Sequence, residues 1–196
     1  MTTTALERHL RDVIVTQGPL TMARYMAEAL GHPEHGYYMT REPFGAAGDF
    51  ITAPEISQMF GELIGLWCAV TWRQLGAPAP VHLVELGPGR GTLMKDALRA
   101  IRAEPEFSAA LMPHLVETGT RLRELQQQAL AGTPAIWHND LTTLPPGPLL
   151  LLANEFFDAL PAQQFEMRED GWRERLVSYR DGDFQPMLAE TPSGLE

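Results

Sequence analysis

The sequence predicts an α/β fold, an open parallel sheet that is incomplete at its C-terminal end and preceded by a helical region. Three observations carry this expectation. The apolar run of Val81, Leu83 and Val84 meets Glu85 and then Gly87, Gly89 and Gly91, a strand feeding a glycine loop. After it, short apolar runs alternate with segments of helical period, as in a chain of βα units. Beyond Pro161 the pattern changes to polar and apolar alternation around Asp170-Gly171, which reads as a hairpin. Strands that would close a full sheet do not follow.

The elements can be justified in order. Leu6, Leu10, Val13 and Ile14 recur at helix spacing over Ala5 to Thr16, and Gly18 follows as a stop. A second helix carries Met22, Tyr25, Met26, Ala29 and Leu30 and ends at Gly31-His32-Pro33. Residues 32–50, with Gly36, Gly45 and Gly48 among three aromatics, read as an ordered loop of the kind that lines sites. Thr52, Pro54 and Glu55 have capping-box spacing and open a long helix. Its apolar residues Ile56, Met59, Phe60, Leu63, Ile64, Trp67, Val70 and Leu75 are expected in the core. A strand at 81–86 then precedes a helix from about Thr92 to Arg102, a short strand Leu115–Glu117 and a helix from about Arg121 to Leu130. Strands at Ala135–His138 and Leu149–Ala153 complete the alternation, the last being an uninterrupted apolar run that suits burial on both faces. Residues 1–78 are therefore expected as a helical N-terminal region and 79–196 as a partial sheet domain, with the hairpin at about 162–185.

Bulk properties narrow the function. The 196 residues suit one sizeable core, with or without an appendage. Lys plus Arg number 15 against 25 Asp plus Glu, a formal charge of −10 without a basic cluster, so a nucleic-acid partner is not expected and a cationic substrate fits better. Cys68 is the lone cysteine, sits in an apolar helical pattern and is expected in the core, and one thiol suits a reducing compartment. The opening residues include an acid and no long apolar run, so neither a signal peptide nor a membrane span is expected and the cytoplasm is the default. His32-Pro33-Glu34-His35 carries metal-capable side chains, but His9, His82, His114 and His138 are scattered without ligand spacing, and no metal site is expected.

In open α/β sheets ligands bind outside the carboxyl ends of the strands, so chemistry is sought there. A dinucleotide loop has the spacing G-x-G-x-x-G/A, whereas here every second residue is glycine and Thr92 follows. E-x-G-x-G-x-G instead resembles the loop of Rossmann-like enzymes that use S-adenosylmethionine (SAM), a cofactor with a carboxylate and a sulfonium but no phosphate. Glu85, Gly87, Gly89 and Gly91 are assigned to the methionine portion. Glu117, at the second strand end, could accept from both ribose hydroxyls. At the third, Asp140 could accept from an adenine amino group and Leu141 could pair through its backbone with a ring nitrogen. The fourth end reads Asn154-Glu155-Phe156-Phe157-Asp158-Ala159-Leu160-Pro161. Glu155 and Asp158 beside two aromatics could hold a guanidinium, which pairs with carboxylates in a planar, bidentate manner. Methyl transfer is an in-line displacement, so rate comes mainly from positioning.

Several stretches together resemble one family, the MidA-type SAM-dependent methyltransferases, which include a mitochondrial complex I assembly factor that methylates a protein arginine. They are Gly18-Pro19-Leu20 with Tyr25-Met26, Pro33 with Gly36-Tyr37-Tyr38, and residues 48–57 (GDFITAPEIS) with Phe60-Gly61-Glu62. The match continues through residues 85–93 (ELGPGRGTL), Glu117 and residues 154–161 (NEFFDALP). The resemblance implies a class I SAM-dependent methyltransferase fold, Rossmann-like, with a helical N-terminal cap over the SAM site. It adds Asp49, Thr52 and Asn154 to the cofactor-facing residues, and it makes a protein arginine the expected acceptor. A homodimer is compatible with it, and eukaryotic relatives are mitochondrial. The family's proteins are longer than this chain. A non-catalytic SAM-binding or assembly module is therefore the alternative expectation, and nicotinamide-dependent oxidoreduction is disfavoured by the glycine spacing.

Overall fold

The computed structural model describes residues 3–40 and 51–194. In chain order the elements are α1 (Ala5–Gln17), β1 (Leu20–Thr21), α2 (Met22–Gly31), α3 (Tyr37–Thr40), α4 (Ala53–Ile56), α5 (Gln58–Gln74), β2 (Val81–Leu86), α6 (Thr92–Ile101), α7 (Pro105–Ala110) and β3 (Leu111–Val116). There follow α8 (Thr120–Ala129), β4 (Ile136–His138), β5 (Leu149–Leu152), β6 (Phe165–Arg168), β7 (Gly171–Arg180) and β8 (Asp183–Leu188), with 3-10 turns at Leu141–Thr143 and Phe157–Ala159. They group into two compact units, Met1–Arg41 with Asp158–Glu196, and Glu42–Phe157.

In the first unit Thr4 and Glu7 close a reciprocal capping box that starts α1. Leu10 and Ile14 of that helix bury against Leu20 and Val177, with Tyr25, Tyr179 and Phe184 packed around them. The expected hairpin is β6–β7, turning at Glu169-Asp170, and it is extended by β8 on the other side of β7. The two residues of β1 pair with β7, so the segment before α2 is sewn into this antiparallel sheet.

The second unit holds a parallel sheet in the order β4-β3-β2-β5. One face carries Val81, Leu83, Leu115, Leu150 and Leu152 against Met94, Leu98 and Ile101 of α6 and Cys68 and Trp72 of α5. Cys68 is fully buried, and burial pushes its thiol up to about 11, as a structural cysteine requires.

Three sequence expectations are corrected here. The helix expected from Thr52 is two helices, because Ser57 is extended at φ −146° and ψ 120°. Thr52 makes no capping bond, and Ser57 Oγ instead accepts from the Met59 N–H at 3.2 Å to start α5. Second, of the apolar positions expected in the core only Phe60 and Ile64 pack there, whereas Ile56, Met59, Leu63, Trp67, Val70 and Leu75 are exposed. The helix turns its small residues inward. A Cβ on Gly65 would lie 2.5 Å from the Ala97 carbonyl oxygen, and one on Gly61 2.7 Å from Asp96 Cβ, so α5 approaches α6 closely along its glycines. Third, β5 is buried on one face only, with Leu149 and Leu151 exposed.

Candidate functional site

The strands of the second unit end flush. Leu86 pairs with Val116, Val116 with His138, and Glu85 with Leu152, which brings Gly87, Glu117, Asn139 and Ala153 to one edge of the sheet. The Gly87 and Glu117 N–H groups carry the ladder one step further, onto Val116 O at 3.1 Å and His138 O at 3.0 Å. Glu85, Gly87, Gly89, Gly91, Glu117, Asp140, Leu141 and Asn154 therefore share this edge.

Two glycines of the loop are dictated by geometry. Gly87 has φ +57°, and a Cβ there would fall 2.5 Å from Cδ2 of Phe156, whose ring lies over the loop. Gly91 is the left-handed N-cap of α6 at φ +83°, where a Cβ would come within 3.3 Å of Gln126 Cα. Glu85 lies behind the loop, 3 % exposed, with Oε2 unpartnered. Burial pushes its carboxyl up to about 8, against a backbone hydrogen bond from Met94 that acts the other way.

Helix α8 stitches the edge together with two side chains that the sequence reading passed over. Gln126 is fully buried, donates to Gly89 O at 2.8 Å and Glu117 Oε2 at 3.3 Å, and accepts from Trp137 Nε1 at 2.9 Å. Arg123 donates to Glu117 O at 2.8 Å and to His138 O and Asn139 Oδ1, each at 2.7 Å. Glu117 completes its own turn by accepting from the Gly119 N–H at 2.7 Å. Arg123 and Gln126 lie three residues apart on α8, but their partners Gly89, Trp137, His138 and Asn139 stand on other elements, so nothing along the chain signals the tie.

Thr52 stands at the N-terminal end of α4 without a side-chain capping bond, and Asp49 lies outside the described residues. The motif residue that touches the loop's helix is Glu55, which accepts from the Thr92 hydroxyl and stands 3.9 Å from Arg90 Nη1. Asp140 caps the 141–143 turn, accepting from Thr142 N–H at 2.8 Å and from the Thr142 hydroxyl. Those bonds, the hydroxyl's first, hold its carboxyl below the usual range.

At the fourth strand end Glu155 is exposed and adopts φ +49°, a left-handed conformation that costs a non-glycine residue about 1–3 kcal/mol and tends to mark functional positions. Asp158 follows in the other unit, where its carboxylate adds to burial in pushing the Tyr38 phenol up. Tyr38 of the Gly36-Tyr37-Tyr38 stretch is thus a neighbour of a candidate catalytic acid.

The histidines are not scattered, as their spacing suggested. His82, His114 and His138 are brought into one buried row by the register of β2, β3 and β4. His9, Glu28 and His32 offer ligand atoms within 4.8 Å of one another. Here hydrogen bonds already occupy the set. His9 Nε2 pairs with Glu28 Oε2 at 3.0 Å, and His32 Nδ1 accepts from the Glu34 and His35 N–H groups at 3.1 and 3.2 Å, which leaves the proton on Nε2.

Residues 63–195 match the protein family described as "Putative S-adenosyl-L-methionine-dependent methyltransferase". The mitochondrial "Protein arginine methyltransferase NDUFAF7 homolog" of Drosophila melanogaster is 41 % identical over 204 residues, spanning 91 % of this chain and 46 % of that protein. The human mitochondrial protein arginine methyltransferase NDUFAF7 is 39 % identical over 211 residues, with 95 % and 47 % covered. A crystal structure of a COG1565 superfamily member from Burkholderia thailandensis, bound to S-adenosyl-homocysteine, superposes with a TM-score of 0.80 at 29 % identity, over 98 % of this chain and 51 % of that one. The chain spans about half the length of these relatives.

Proposed function

The chain belongs to this family of S-adenosyl-L-methionine-dependent methyltransferases, and from that premise we propose that its strand-end edge binds SAM and serves methyl transfer to a protein arginine. The observation that carries the reading is the flush edge itself, where the glycine loop and the acids of successive strands meet under the ties of Gln126 and Arg123. Carboxylates at successive strand ends suit a cationic, phosphate-free cofactor. The orphaned Glu85 Oε2 behind a loop that tolerates no Cβ at Gly87 fits the same group.

When bound, SAM supplies an electrophilic methyl on a sulfonium. Gly87, Gly89 and Gly91 let its methionine end approach the backbone, with Glu85 and Asn154 beside it. Glu117 would hold the ribose, and Asp140 with the Leu141 backbone would hold adenine. Thr52 and Asp49 are added to the cofactor-contacting candidates by resemblance alone. Glu155 would orient the guanidinium and hold its charge away from the attacking nitrogen, so that the displacement runs in line, and Asp158 is the second acid the sequence offers for that role. The acidic, single-cysteine composition supports a cytoplasmic setting, while the relatives' names are mitochondrial.

A second reading, an assembly module without turnover, draws support from the exposed apolar row of Met59, Leu63, Trp67 and Val70 on α5. Calorimetric titration with SAM and S-adenosylhomocysteine tests the first reading. Micromolar binding that is lost in a folded Gly87→Val variant is expected, and binding that survives the substitution refutes it. Transfer of radiolabelled methyl by this chain would exclude the module.

A further inference from the structure

His82, His114 and His138 stand on three adjacent strands, 5 %, 1 % and 8 % exposed. His82 Nδ1 lies 3.0 Å from His114 Nε2, His114 Nδ1 lies 2.8 Å from His138 Nε2, and His138 Nδ1 lies 2.9 Å from Thr143 Oγ1. His114 stands opposite Val84 and His138 opposite Val116, each two residues beyond the position facing the preceding histidine, so the row runs diagonally across the strands with ring centroids 4.9 and 5.1 Å apart. The direction of the row follows from its last member. Thr143 Oγ1 is 3.1 Å from the main-chain oxygen of Asp140, a group that can only accept. A hydroxyl has one proton to give. Thr143 gives it to Asp140 and accepts from His138 Nδ1–H.

The assignment then propagates. With its proton on Nδ1, neutral His138 accepts at Nε2 from His114 Nδ1–H, and His114 accepts at Nε2 from His82 Nδ1–H. As neutral imidazoles the three rings share one tautomer. Burial, His82 and His138 together hold His114 down at about 4, in keeping with that charge state.

We propose that this row is a positioning relay that fixes the Asp140–Thr143 turn from inside the sheet, and so presets the adenine contacts. The ligand half of the inference rests on the function proposed above. The turn's residues are exposed, and its other bonds are local: Thr142 N–H and hydroxyl to Asp140 Oδ1, Thr143 Oγ1 to Asp140 O, and Leu144 N–H to Leu141 O.

Imidazole 15N spectra of the histidine-labelled chain test the direction. Three Nδ1–H tautomers are expected for His82, His114 and His138, and an Nε2–H ring at any of them overturns the relay. Thr143→Val removes the acceptor, and with it the bond to Asp140 O, at an exposed position, so His138→Leu, which keeps that local bond, is measured beside it. The Thr142 and Leu144 amides should then exchange at least tenfold faster. The preference for S-adenosylhomocysteine over S-inosylhomocysteine, which lacks the amino group, should fall by a similar factor. Thr143→Ser should restore both. Unchanged exchange in the valine or the leucine variant overturns the relay. Faster exchange in a chain that never prefers the adenine compound supports the relay and refutes the adenine assignment instead.

Discussion

Gln126 Nε2 donates to the Gly89 carbonyl at 2.8 Å, tying the middle of the glycine loop to a helix that begins after the next strand. The same amide reaches Glu117 and Trp137, so one buried side chain sets the spacing of the first, second and third strand ends. Each buried polar group left without a partner costs about 1–3 kcal/mol. Gln126→Leu should lower stability by an amount in that range or above and weaken S-adenosylhomocysteine binding at least tenfold. Gln126→Glu keeps the volume and the Trp137 bond but turns a buried oxygen on Gly89 O and the Glu117 carboxylate, and should lose binding and at least as much stability as the leucine variant. Urea denaturation with calorimetry separates the two effects.

Gly65 is where α5 touches α6 most closely. Because its Cβ would meet the backbone of Ala97 at 2.5 Å, no side-chain rotation relieves the contact. Gly65→Ala should destabilise the second unit by about 1–3 kcal/mol, although alanine is the better helix former. A urea midpoint that rises on substitution would contradict this packing.

Glu85 and His114 give stability opposite slopes with pH. Folded Glu85 titrates at about 8 against an ordinary 4.5, so the folded chain holds a proton that the unfolded chain has released. Stability should fall as pH rises through that interval, by about 1.4 kcal/mol per unit. Folded His114 titrates at about 4 against an ordinary 6.5, so the unfolded chain binds the extra proton and stability should fall as pH drops from 6.5 towards 4. The two nearly cancel between 4.5 and 6.5. Urea midpoints from pH 4 to 9 should show losses at both ends. Glu85→Gln should flatten the alkaline one, and His114→Gln the acid one.

Local rules made the parallel sheet and its ends legible. A buried strand announces itself by an apolar run, and the residues after it fall at its carboxyl end whatever the tertiary detail. Thus Glu85, the glycines, Glu117 and Asp140 could be named from order alone. Which face of α5 packs was not legible, because apolarity marks Met59, Leu63 and Trp67 while close approach selects Gly61 and Gly65. The break at Ser57 was hidden for a related reason, since Glu55, which would have closed the box with Thr52, is taken by Thr92. Gln126 and the histidine row depend on register between strands far apart in sequence, and no spacing along the chain reports it.

Glu155 combines a candidate catalytic carboxylate with a strained backbone, and the two can be measured apart. At φ +49° a glycine is free of the Cβ clash that glutamate bears, although it loses more chain entropy on folding. Glu155→Gly should therefore fold with stability equal to or up to about 1 kcal/mol above the parent chain. Its affinity for S-adenosylhomocysteine should be unchanged, because the cofactor is held by the other strand ends. If the carboxylate holds the acceptor guanidinium, methyl transfer to an arginine peptide should drop at least a hundredfold, and Glu155→Gln, which keeps the side-chain shape, should drop as far. A glycine variant that is more stable and equally active would remove Glu155 from the chemistry. The left-handed turn would then serve only to carry the chain from β5 to Phe156, whose ring covers Gly87.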